Sequence, residues 1–195
     1  PSVQDLVERA ALPRVVAIGE TGLDYYGMED RKGGRTIADL EWQRERFRTH
    51  IKAAQITQKP LVIHTRSSSA DTLAILRESG EADSSTQAGG VFHCFTGNQK
   101  EAEELLSFDN FVLGIGGVST FKSSHLREDL PAAVPMNRII LETDSPYMAP
   151  VPYRGKRNES AFVIEVLKTL AKAYGVSEEE FAEQTNKNVE SVFHF

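Results

Sequence analysis

Sulfur is nearly absent from this sequence. One cysteine, Cys94, occurs in 195 residues, so no internal disulfide can form, and the chain suits a reducing compartment. Long apolar runs are missing as well: nothing approaches the roughly 18 to 20 apolar residues of a membrane-spanning helix. No basic segment leads into an apolar one near Pro1. These absences point to a cytoplasmic protein without a membrane anchor. Positive charge is in deficit, since 22 Lys and Arg face 28 Asp and Glu for a net charge of −6. That excludes a broad basic face of the kind that clamps duplex nucleic acid through its phosphates. A polyanion would have to meet local positive charge, from a bound metal or a few arginines. Internal repeats, low-complexity tracts and linkers are also lacking, and the length suits a single domain over residues 1–195.

What is present is an alternation of short apolar runs with longer amphipathic stretches, the pattern of repeated βα units on a parallel sheet. The runs predict strands near residues 14–19, 60–64, 89–93, 111–115 and 138–142. Helices are expected over Val3 to Ala11 and near 39–58, 68–79, 98–107, 123–130, 158–174 and 177–192. In the 39–58 stretch, Leu40, Phe47, Ile51 and Ala54 share one face, and Glu41, Arg44, Glu45 and Arg48 form a solvated ladder on the other. Ser177 is an N-cap before Glu178, Glu179 and Glu180, and Gly175 stops the preceding helix. Asp30 to Gly34 reads as a charged, glycine-containing mobile loop.

Chemistry-bearing side chains recur where these strands end. Glu20 follows Val15 to Gly19, His64 follows Pro60 to Ile63, His93 follows Gly90 to Phe92, and Glu142 and Asp144 follow Arg138 to Leu141. In a parallel α/β barrel the C-terminal rim is where side chains from several strands meet. Any one of these residues alone is better read as a hydrogen-bonded histidine or a turn-forming aspartate. Together they form a mixed nitrogen and oxygen donor set suited to one or two divalent ions, Zn, Mn or Mg.

Five strands do not close a (β/α)₈ barrel, which takes about 250 residues. At roughly 30 residues per βα unit, about two units are missing. They are expected on the N-terminal side, because the chain opens on a helix-like segment, Val3 to Ala11, leading into its first strand, and closes with two well-formed helices.

The segments Gly19-Glu20-Thr21-Gly22-Leu23-Asp24-Tyr25-Tyr26, His64-Thr65-Arg66, His93-Cys94-Phe95-Thr96-Gly97, Glu142-Thr143-Asp144-Ser145-Pro146-Tyr147 and Arg154-Gly155-Lys156-Arg157-Asn158-Glu159 resemble the signatures of the TatD-like metal-dependent deoxyribonucleases. They stand in the family's order from about residue 14 onward. The resemblance implies a TIM-type barrel of the amidohydrolase superfamily, here incomplete. It also implies a metal centre that hydrolyses DNA phosphodiesters at single strands or 3′ ends, as a 3′ to 5′ exonuclease. It makes Glu20 a metal-bridging and catalytic carboxylate, His64 and His93 imidazole ligands, and Asp144 both ligand and general base. Asp24 and Glu142 become supporting partners. Glu142 lies two residues from Asp144 and shares its side of an extended strand.

For substrate, Arg66 follows His64 by two residues and places a guanidinium on the same face, able to offer two hydrogen bonds to a phosphate. Arg154, Lys156 and Arg157 supply a short basic loop, equally well read as solvated charge before a helix. Tyr25 and Tyr26 can stack on a base or simply pack the rim. Asn158 and Glu159 are expected to cap the next helix. His50, His125 and His194 are left out of the metal set, and Cys94, next to His93 in a strand, is expected to point away from the site. Gly114 to Gly117 lacks dinucleotide-fingerprint spacing and suits close backbone approach.

One part of the family pattern is missing: no His-x-His pair occurs in the sequence. The remaining set can hold one metal, with the second in doubt. A hydrolase acting on a C–N bond and an inactive truncated scaffold are therefore carried as alternatives. Arg66 and the basic loop favour a phosphate over a neutral amide.

Overall fold

A computed structural model describes residues 1–28, 36–81 and 88–194. The expected loop from Asp30 to Gly34 lies outside the described residues. Five strands form a parallel sheet in the order β1 (Ile18–Asp24), β2 (Leu61–Arg66), β3 (Gly90–Phe92), β4 (Phe111–Ile115) and β5 (Ile139–Leu141). Among the described residues the sheet is open, as expected for an incomplete barrel. Helices α1 (Val3–Ala10), α2 (Glu41–Thr57), α3 (Ser69–Glu78), α4 (Gln99–Leu105), α5 (Leu126–Ala133), α6 (Val163–Tyr174) and α7 (Glu178–Phe193) alternate with the strands or close the chain. Among the described residues no helix is long and apolar enough to cross a membrane.

Contacts divide the chain into two compact units, Pro1–Val91 with Phe108–Asn110, and Phe92–Ser107 with Phe111–His194. The division runs through β3. In the first unit, β1 pairs with β2 in a register that places Gly22 opposite His64 and Asp24 opposite Arg66. Its core gathers Leu23, Phe47, Ile51, Leu61, Ile63 and Leu76, all buried. The apolar face of α2 is the expected one, with Leu40, Phe47, Ile51 and Ala54 buried. On its outer face Arg44 Nε lies 2.6 Å from Glu41 Oε2, and Arg48 reaches Glu41, Glu45 and Glu78. His50, on the buried side, makes a 2.8 Å hydrogen bond from Nδ1 to Arg46 O.

The second unit packs β4, every residue of which is buried, beside β5. Phe92 stacks on Phe111 with ring centroids 5.0 Å apart. Gly175, at φ 70°, ends α6, and Ser177 Oγ caps α7 by accepting from Glu180 N at 3.1 Å.

Several boundaries differ from the sequence reading, those of the first strand and the sixth helix most. The first strand begins at Ile18 rather than near 14, because pairing starts where Ile18 N donates to Pro60 O; Val15 to Ala17 precede the ladder although Val15 and Val16 are β-branched. It runs on to Asp24, so Glu20 lies inside the strand rather than after it. The sixth helix starts at Val163, behind a 3-10 turn at Ser160–Phe162, and Asn158 caps neither.

Candidate metal centre

In the first unit, β1 and β2 bring Glu20, Asp24 and His64 together. Glu20 and Asp24 stand two residues either side of Gly22, the register partner of His64. The imidazole lies between their carboxylates: Nδ1 is 3.1 Å from Glu20 Oε1, and Nε2 is 3.4 Å from Asp24 Oδ2. Gly22 permits this. Its φ is +138°, and a Cβ there would stand 2.0 Å from His64 O, so no side chain fits. The backbone of Asp24 is held from outside the strand, its N–H donating to Gln43 Oε1 at 2.9 Å and its carbonyl accepting from Gln43 Nε2 at 3.3 Å. Beside this group, Glu20, Thr21, Trp42 and Arg46 help line an open cavity of about 250 Å³. A carboxylate and an imidazole from adjacent strands, flanked by a second carboxylate, fit the donor chemistry of a divalent ion.

Arg66, at the end of β2, lays its guanidinium over the ring of Tyr26 with Cζ 3.6 Å from the centroid. Stacking on a ring face leaves the in-plane N–H groups directed outward. The two tyrosines differ. Tyr26 is 62% exposed, whereas Tyr25 is 6% exposed. The Tyr25 hydroxyl donates to Asp71 Oδ2 at 2.7 Å and accepts from Arg44 at 2.8 Å. Burial, and then the bond to Asp71, push that hydroxyl's pKa above the ordinary phenol value. The expectation of Tyr25 as a base-stacking residue is corrected accordingly: its ring packs the rim, and the ring on offer is Tyr26.

In the second unit, His93 and Cys94 form the turn after β3, and Glu142 to Asp144 lead from β5 into the turn that Tyr147 N closes onto Asp144 O. Glu142 joins the two turns. Its Oε1 accepts from the Cys94 backbone N–H at 2.5 Å, and its Oε2 lies 3.9 Å from His93 Nδ1. Gly114 of β4 leaves the space, since a Cβ there would stand 2.9 Å from Glu142 Oε2 and 3.2 Å from His93 Cα. Glu142 thus sits as a partner to His93.

Cys94 overturns its expected direction. Because β3 ends at Phe92 and Cys94 has φ +49°, strand alternation no longer applies, and Sγ turns to within 3.9 Å of Asp144 Oδ2. Arg154 stacks over Phe121 at 3.8 Å, and Lys156 and Arg157 are exposed. Asn158, expected as a helix cap, instead bonds the chain around Asp144. It is buried and bonds the backbone of the Asp144 turn, a role that only contact across the fold reveals.

The profile of the family described as TatD related DNase matches residues 2–194. An uncharacterized metal-dependent hydrolase, YcfH of Escherichia coli strain K12, is 43% identical over 192 residues, covering 98% of this chain and 68% of that protein. A protein of Citrobacter rodentium named 3′-5′ ssDNA/RNA exonuclease TatD is 32% identical over 194 residues, covering 96% of this chain and 68% of its own length. Among solved structures, that of YJJV, a TatD homolog from Escherichia coli K12, superposes with a TM-score of 0.82 at 27% identity, covering 99% of this chain and 68% of that one. This chain belongs to the TatD-related DNase family, whose relatives include metal-dependent hydrolases.

Proposed function

We propose that this chain hydrolyses phosphodiester bonds of DNA, removing nucleotides from the 3′ end of a single strand, as one catalytic domain working in the cytoplasm. The residues that would hold one or two divalent ions of the Mg, Mn or Zn class are those the sequence resemblance assigns, Glu20, His64, His93 and Asp144. The observation that carries the reading is His64 held between the carboxylates of Glu20 and Asp24 on paired strands.

When bound, the metal supplies a water that ionises near neutral pH and positive charge for the phosphate. The protein's own residues do the rest. Asp144 would take the proton from the attacking water, and Glu142, bonded to the Cys94 N–H and 3.9 Å from His93 Nδ1, would steady the turn that carries His93. Glu20 holds its carboxylate against His64, fixing the ring. Arg66 offers its outward N–H edge to a phosphate oxygen while Tyr26 supports the guanidinium from below. The name of the Citrobacter rodentium relative, an exonuclease on single-stranded DNA and RNA, supports a nucleic-acid strand as substrate. Cleavage of a C–N bond, the rival hydrolase reading, makes no use of Arg66.

The test is direct. Purified chain should take up a divalent ion by metal analysis and shorten a 3′-labelled single-stranded oligonucleotide. A Glu20→Gln, Asp144→Asn double variant should do neither, and equal behaviour of the two proteins would sink the reading.

A further inference from the structure

The turn that carries Asp144 is built around one buried side chain from 14 residues downstream. Asn158 is 1% exposed. Its Nδ2 donates to Thr143 O at 2.6 Å and to Tyr147 O at 2.7 Å, so the two amide hydrogens grip the chain on either side of Asp144. Its backbone N–H donates to Pro146 O at 3.0 Å, and its Oδ1 accepts from Glu159 N at 2.9 Å. Asp144 itself is left-handed at φ +54°, and Tyr147 N closes the turn onto Asp144 O at 2.9 Å. Aspartate is one of the few non-glycine residues that adopt this conformation, and the hydrogen bonds on either side of it hold the turn there.

We infer that Asn158 is a positioning residue for the reaction proposed above, acting through Asp144; the inference rests on that reading. Two backbone carbonyls facing one buried point need two donors, and a primary amide is the small side chain that supplies both. Remove it and the carbonyls lose their partners, the turn relaxes toward commoner dihedrals, and the Asp144 carboxylate leaves its aim. The same chemistry recurs at the opposite end of β5, which provides a matched control. Asn188, also buried, donates from Nδ2 to Met136 O at 2.7 Å and to Ile139 O at 2.6 Å. Both asparagines steady the start or finish of β5, but only the Asn158 end carries Asp144.

The experiment compares the wild-type chain with Asn158→Ala, Asn158→Asp, Asn188→Ala and Asp144→Asn. The Asp variant keeps the volume of Asn158 and loses both donors, and serves if the alanine variant folds poorly. Turnover of a single-stranded oligonucleotide with Mn²⁺ is measured below every variant's melting temperature, alongside residue-resolved amide exchange. Asn158→Ala should lower kcat by about 10- to 100-fold, the scale of a misplaced catalytic group, with KM moved less than about threefold. Asn188→Ala should keep kcat within about threefold of wild type. The Tyr147 amide should exchange faster in Asn158→Ala, with the β5 amides unchanged, and Asn158→Ala should cost nothing further on the Asp144→Asn background. Equal kcat loss in the two asparagine variants, or an unmoved Tyr147 amide, overturns the inference. If the wild type is no more active than Asp144→Asn, the hydrolase reading is the one that falls; Tyr147 exchange then still decides whether Asn158 holds the turn.

Discussion

His64 Nδ1 lies 3.1 Å from Glu20 Oε1, and the two residues come from paired strands whose register centres His64 on Gly22. The contact is the first half of the proposed metal site. Glu20 is half-exposed, so its substitution should leave the fold nearly untouched. Glu20→Gln is expected to weaken Mn²⁺ binding by at least about tenfold, since an amide cannot supply the anionic ligand. Isothermal titration reads the affinity, and a melting temperature within about 3 °C of wild type would show the loss to be local.

Gly22 makes the contact geometrically possible. Gly22→Ala would drive a methyl into His64 O at a φ that L residues rarely adopt. It should destabilise by about 2 kcal/mol or more, seen as a lower urea midpoint, and should weaken metal binding with it.

Arg66 is proposed to meet the phosphate from its seat on Tyr26. Arg66→Lys keeps the charge but loses the planar fork, so KM should rise about tenfold with kcat less affected. Tyr26→Ala removes the support under the guanidinium, a contact worth about 0.5 to 1 kcal/mol at an exposed site, and should raise KM by only two- to fivefold. Steady-state kinetics on a single-stranded oligonucleotide distinguish the two. A neutral response to Arg66→Lys would argue against phosphate contact.

The chain's single cysteine lies against Asp144. N-ethylmaleimide on Cys94 would set a bulky group beside the carboxylate, so alkylation should abolish hydrolysis in step with a single mass addition. Cys94→Ser should be immune to the reagent. Full activity after stoichiometric labelling would contradict the placement of Asp144 in the reaction.

Glu81 sets a pH dependence of folding. It is fully buried, with Gln55 Nε2 donating to Oε1 at 2.9 Å and Ala88 N to Oε2 at 3.1 Å. Burial raises its pKa above the ordinary 4.5, outweighing these bonds. The folded state therefore prefers the protonated acid. That stabilisation is complete below pH 4.5 and is lost as pH rises through the raised folded value, after which it changes no more. Urea midpoints of wild type relative to Glu81→Gln should fall over this window and then level off.

Much of this fold was legible in order along the chain. The face of α2 followed from apolar spacing, and the caps at Gly175 and Ser177 from residue type, because each depends on neighbours within a few positions. Cys94 was misdirected because alternation holds only while a strand continues, and β3 stops two residues earlier. The first strand was placed too early for a related reason: β-branched residues favour extended backbone, but only a partner strand makes a ladder.

The sequence by itself determined the order of the proposed donors, Glu20, His64, His93 and Asp144, and the alternation of strand and helix on a parallel sheet. Composition and periodicity are local properties, so they can be read without knowing what touches what. Tertiary structure alone decided that Gly22 faces His64, that Tyr25 is packed while Tyr26 is exposed, that Cys94 turns toward Asp144, and that Asn158 grips the Asp144 turn. Each of these depends on strand register or on a hydrogen bond between residues distant in sequence, and no pattern within one segment specifies where such a bond will close.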